Sequence, residues 1–161
     1  MKKVVIIILA VLAVAGFGIY KLVNSLGRAG EAGDAAVSVF HGHYNANRVK
    51  EIISGAAPAF RSTVSADDFA GLIRLLHDKL GERKSGERSG INLHTDNGNT
   101  TLELTYDSTF EKAAGTEEFV LDYNGEVPLL IGYHVKSPAL LEIPPEKDGK
   151  AEDEPAAPAN P

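Results

Sequence analysis

The fold class this chain predicts is α+β, with helices first and an antiparallel sheet after them. Three observations carry it. Apolar residues recur with helical spacing in three stretches between residues 35 and 81. After Gly81 the period shortens to two. Two Asn-Gly pairs, at 97–98 and 124–125, then punctuate the alternating segments as hairpin turns do. With 161 residues, the chain has room for one modest core and its appendages.

The first element is apolar. Met1-Lys2-Lys3 precedes Val4–Tyr20, 17 residues without a charge, and Leu22 and Val23 extend the run past Lys21. A membrane-spanning helix needs about 20 such residues and a cleavable signal only ~7–15. Ala13-Val14-Ala15 offers a signal-peptidase pattern, but it lies inside the apolar stretch, with Phe17, Ile19 and Tyr20 beyond it. Residues 1–23 therefore read as an uncleaved anchor, the membrane being crossed by residues 4–23, with secretion after cleavage as the alternative. Lys2 and Lys3 hold the N-terminus in the cytoplasm and place the body outside it. Residues 24–34, NSLGRAGEAGD, are small and polar and read as a linker.

Residues 35–143 form the expected α+β domain. Its first helix carries Val37, Phe40, His41 and Tyr44 on one stripe, and its second carries Val49, Ile52, Ile53 and Ala56. Asn47 is a candidate cap for the second helix, which Gly55 and Pro58 close. The third has the clearest stripe, Phe69, Leu72, Ile73, Leu76 and Leu80, and stops at Gly81. Asp67 and Asp68, with His77 further along, raise the question of an acid/base site. Ser65-Ala66-Asp67-Asp68 answers it, because a serine followed three residues later by an acid is how a helix begins. His77 lies three turns away, beyond reach of those acids along the same helix.

Residues 81–90, GERKSGERSG, read as a solvated loop or a frayed strand start. Ile91, Leu93 and Thr95 open the sheet, and Asn97-Gly98 suits a type I′ turn. The inner face is then expected to hold Leu102, Leu104, Tyr106, Phe119, Leu121, Tyr123, Leu129, Ile131 and Tyr133. Glu103, Asp107, Asp122 and His134 fall on the outer parity, so no ionisable acid or histidine faces inward. Pro128 sits where a strand start tolerates a missing N–H. Residues 144–161, with Pro144, Pro145, Pro155, Pro158 and Pro161 among acids, read as a disordered tail.

Phe60-Arg61 after a short helix, Leu80-Gly81 ending the next and Gly132-Tyr133 in the last strand make the chain resemble the bacterial domain of unknown function 4019. That group belongs to small envelope domains of the cystatin-like or nuclear-transport-factor-2-like kind. The resemblance implies three helices packed on a curved four-stranded antiparallel sheet, and it implies no activity. The tryptophans and lipidated cysteine common in that group are missing here.

Composition narrows the function classes. The formal net charge is -6, but all 22 acids and only 12 of the 16 basic residues lie in 29–161, giving that part -10. Phosphate backbones repel such a surface, so no nucleic-acid partner is expected. Zero cysteines remove disulfides, thiolate metal sites and a cysteine nucleophile. His41-Gly42-His43 is not a metal pair on a helix, because residues two apart point about 200° apart. Asn99-Thr100-Thr101 fits a glycosylation sequon, which bacteria-like surroundings would leave unused. No catalytic residues, metal ligands or cofactors are expected.

The expectation is a single-pass inner-membrane protein whose periplasmic domain binds a protein partner of the cell envelope without catalysing a reaction. One alternative is a small-ligand carrier with an apolar pocket lined by Tyr44, Tyr106, Tyr123 and Tyr133. A further alternative is a small pocket enzyme of the isomerase or dehydratase type.

Overall fold

The computed structural model describes residues 25–124 and 126–141. The expected anchor and the expected acidic tail lie outside them. Among the described residues, no helix is long and apolar enough to cross a membrane.

Helix α1 is continuous over residues 25–45, so 25–34 are helical and the assignment of that stretch to a linker is corrected. Ala29 is wholly buried, and a Cβ at Gly33 would fall 2.5 Å from Leu104 Cδ1 and 2.8 Å from Leu102 Cδ2. The small residues bring the helix backbone down onto the sheet. The buried stripe then continues through Val37, Phe40, His41 and Tyr44.

Asn47 caps a helix, but the preceding one. It adopts φ 54°, its N–H bonds Tyr44 O at 2.9 Å, and the Arg48 N–H reaches His43 O at 2.8 Å. That is the left-handed C-terminal closure in which asparagine substitutes for glycine. Helix α2, Val49–Gly55, starts from Arg48 with no side-chain cap. Helix α3, Pro58–Thr63, opens on a proline, whose missing N–H costs nothing in a first turn. The Ala57 N–H bonds Leu130 O at 2.9 Å and ties this corner to the sheet. Helix α4, Ala66–Leu80, begins as its sequence dictates, with Ser65 Oγ accepting the Asp68 N–H at 3.0 Å. It buries Phe69, Ile73, Leu76 and Leu80 and stops at Gly81, which has φ 77°.

Four strands follow as an antiparallel meander in the order β1-β2-β3-β4. They are β1 Arg83–Asp96, β2 Asn99–Phe110, β3 Ala114–Asp122 and β4 Leu129–Lys136. Residues 83–90 are therefore paired strand, interrupted by register shifts between Arg83 and Ser85 and between Arg88 and Gly90. Asn97 and Gly98 both have positive φ, 50° and 83°, as a type I′ turn requires. In β4, Val120 pairs with Gly132 but Leu121 pairs with Leu130, leaving Ile131 as an extra residue. This bulge turns Leu130 inward, and Leu129 and Ile131 are only half-buried. The expected inner set is corrected there. A single core joins the stripe of α1 and Ile52, Phe60 and the face of α4 to Leu102, Leu104, Phe119 and Leu121 of the sheet.

Candidate functional site

Strand β3 holds the residue that the sequence reading missed. Glu117 has the parity of Phe119 and Leu121, and its side chain is entirely buried between the sheet and α1. The expectation of an inner face without ionisable groups is thereby overturned. The signal was present, because stepping back two residues from Phe119 reaches Glu117. An isolated carboxylate at the end of an apolar series reads naturally as the point where a strand emerges from the core.

Its surroundings make burial tolerable. His41 Nε2 lies 3.1 Å from each carboxylate oxygen, Tyr133 OH donates to Oε1 at 2.7 Å, and Ser108 Oγ donates to Oε2 at 2.5 Å. Both partner atoms of His41 Nε2 are acceptors, so that nitrogen carries the hydrogen. Arg83 Nε stands 3.7 Å from Oε2 on a side chain that keeps 17% exposure. A Cβ at Gly86 would collide with Arg83 Nη2 and Ser108 Oγ, so that glycine makes space for the guanidinium. Burial pushes the Glu117 carboxyl up, but the His41 hydrogen bond and charge, with the Ser108 and Tyr133 hydroxyls, outweigh it and hold the pKa below the usual carboxylate range. The group is a satisfied carboxylate. Only His41 Nδ1 in this cluster is buried without a hydrogen-bond partner among the described residues.

The four tyrosines expected to line a pocket do not converge on one. Tyr44 donates to Gly81 O at 2.9 Å, with its ring stacked 4.3 Å from that of His77. Tyr106 donates to Asp34, which also pairs with Arg88 at 3.4 Å. Tyr133 serves Glu117, and Tyr123 is half-buried just past the end of β3. Burial first, and then neighbouring carboxylates, raise the hydroxyl pKa values of Tyr44, Tyr106 and Tyr133 well above ordinary tyrosine. His77 Nε2 meets Tyr44 O at 2.7 Å, far from Asp67 and Asp68 at the helix start. His41 faces Glu117, whereas His43 lines a different cavity. Among the described residues, no cluster of three or more His, Asp or Glu side chains has the arrangement of a metal site.

That cavity is the more accessible feature. A cleft of about 190 Å³ opens between α1, α2 and the β3–β4 connection. Val37, Phe40, Ile52, Phe119, Leu121 and Leu130 line it, with Glu51 and His43 as its polar members. Val39 and Val127, also in its wall, are 61% and 73% exposed. A broader groove of about 580 Å³ runs between α4 and β4 and touches one tyrosine, Tyr133.

The chain matches no family model, no curated protein and no solved structure. What stands is an α+β domain of helices and a four-stranded antiparallel sheet.

Proposed function

We propose that this chain is a membrane-anchored, non-enzymatic envelope protein whose extracytoplasmic domain, of the cystatin-like or nuclear-transport-factor-2-like kind, binds a protein partner. The observation that carries the reading is the cleft beside α1. It is apolar, open and edged by two valines that a monomer gains nothing by exposing. Its volume falls below the ~300 Å³ at which small-molecule pockets begin, but suits one inserted side chain. The enclosure of Glu117 supports the non-enzymatic part, since general acid/base work needs a group that substrate can reach. The uncharged run of residues 4–20 behind Lys2 and Lys3 supports the anchor.

A small-ligand role is the second reading, and the α4–β4 groove favours it by volume. Against it, Glu118, His134 and Lys136 make that groove a mixed polar surface, and its tyrosine hydroxyl is already committed to Glu117.

Affinity capture from membranes with the full chain under mild solubilisation tests the first reading. A stoichiometric protein partner is the expected result, and recovery of the chain alone would refute it. Intact-mass measurement should retain residues 1–23, whereas a start at Gly16 would show a removed signal.

A further inference from the structure

The cleft beside α1 has a size, a lining and a charge, and together they define what fits it. At about 190 Å³ it is slightly larger than the ~150 Å³ apolar cavity that accepts benzene. Phe40 and Phe119 meet edge-to-face at 5.1 Å in its wall, so the floor of the cleft is aromatic, and aromatic rings pack favourably against one another. Glu51 is the one charged residue in the lining; it is exposed and makes no ion pair among the described residues. Glu126, also exposed, precedes Val127 in the wall.

We propose that this cleft receives one aromatic side chain from a partner segment that carries a lysine or arginine beside it. The inference rests on the protein-binding reading above and names the recognised chemistry. Buried aromatic anchors dominate binding energy at interfaces, and an adjacent cation would meet Glu51 at the mouth. An acidic neighbour would instead be repelled by Glu51 and by a chain of net charge -6. Val39 and Val127 would lose their exposed surface as the partner's backbone settled over them.

Gly55 supplies the control. It is an exposed residue of the cleft wall, and a Cβ there would meet nothing within 4 Å, so Gly55→Leu adds apolar bulk at the cleft without a clash at its Cβ. The experiment is a methyl-resolved NMR titration of the full chain in lipid nanodiscs, with no detergent to compete. The probes are phenethylammonium, phenylacetate and n-octylammonium. Phenethylammonium should shift Val39, Ile52, Val127 and Leu130 saturably and bind about threefold more tightly than phenylacetate, as an exposed ion pair allows. Glu51→Gln should bring that ratio close to one, and Gly55→Leu should abolish both titrations. Equal binding of the two aromatic probes, or shifts elsewhere, would overturn the proposal. Tighter binding of n-octylammonium would overturn it in favour of an alkyl chain. Self-association of the chain lost in Gly55→Leu would overturn it in favour of a second copy. If Gly55→Leu still captures the wild-type partner from membranes, the cleft assignment fails while the protein-binding reading stands. Absence of any partner for the wild type would remove that reading itself.

Discussion

His41 Nε2 sits 3.1 Å from both carboxylate oxygens of Glu117, joining α1 to β3 across 76 positions of sequence. The pair is the polar centre of an otherwise apolar interface. Removing one member strands the other. Glu117→Ala leaves His41, Ser108 and Tyr133 without their acceptor, and breaking such a buried pair costs about 3–5 kcal/mol. Urea unfolding should show that loss, with α1 the first element to lose hydrogen-exchange protection. A loss below about 1 kcal/mol would mean that water replaces the carboxylate at no great cost.

The same carboxylate should make stability depend on acid. Its folded pKa is depressed, because the donors of His41, Ser108 and Tyr133 outweigh the opposing effect of burial. A depressed carboxylate contributes stability that is complete above its unfolded pKa of about 4.3 and is lost as pH falls through the folded value. Urea midpoints should therefore fall more steeply for wild type than for Glu117→Gln below about pH 4. The two curves should run parallel between pH 5 and 7. Parallel curves throughout would show that this group does not set the acid limb.

Two glycines of α1 should respond to alanine with opposite signs. Both substitutions gain up to about 1 kcal/mol of helix propensity. At Gly42 the helix is exposed and a Cβ meets nothing within 4 Å, so the gain should appear in full. At Gly33 the Cβ would fall 2.5 Å and 2.8 Å from two buried leucine methyls, and overpacking of that kind costs about 1–3 kcal/mol. Thermal melts should place Gly42→Ala above wild type and Gly33→Ala below it.

Ser65 gives a simpler test. Its hydroxyl accepts the Asp68 N–H at 3.0 Å and donates to Asp68 Oδ2 at 2.7 Å. Both residues are exposed, so no packing term intrudes. Ser65→Ala should cost about 1 kcal/mol, the usual worth of such a cap. Loss of far more by chemical denaturation would point to a role beyond starting α4.

How legible these features were in the sequence follows from how local their causes are. The start of α4 and the turn at Asn97-Gly98 depend on a few adjacent residues, and both stand where the sequence puts them. Asn47 was legible as a cap but not as to which helix it closes, since the αL position belongs to the end of α1. Residues 25–34 look like a linker because their glycines weaken a helix by propensity, and only the leucines of a distant strand show why small residues are needed. The β4 bulge at Ile131 has no local signature, and one extra residue there exchanges which side chains face inward. Glu117 required the partners of three other elements before its burial made sense. The cleft, built from α1, α2 and β3–β4 residues, could not be seen from periodicity at all.

The decisive test of what the polar cluster is for replaces it whole. His41→Phe, Ser108→Ala, Glu117→Leu and Tyr133→Phe together remove every acceptor and donor that would otherwise be orphaned. Arg83, already 17% exposed, can turn to solvent. Exchanging a complete buried ionic group for apolar residues of similar volume is often neutral or stabilising by about 1–4 kcal/mol. The quadruple variant should therefore unfold at or above the wild-type urea midpoint, in contrast to Glu117→Ala. What it should lose is uniqueness. Without a directional contact, α1 is held by an oily stripe that tolerates sliding, and the Val37 and Phe40 resonances should broaden through exchange. A quadruple variant as unstable as Glu117→Ala would instead show that the cluster is a net source of stability. One with sharp, wild-type resonances would deny it any part in fixing where α1 lies.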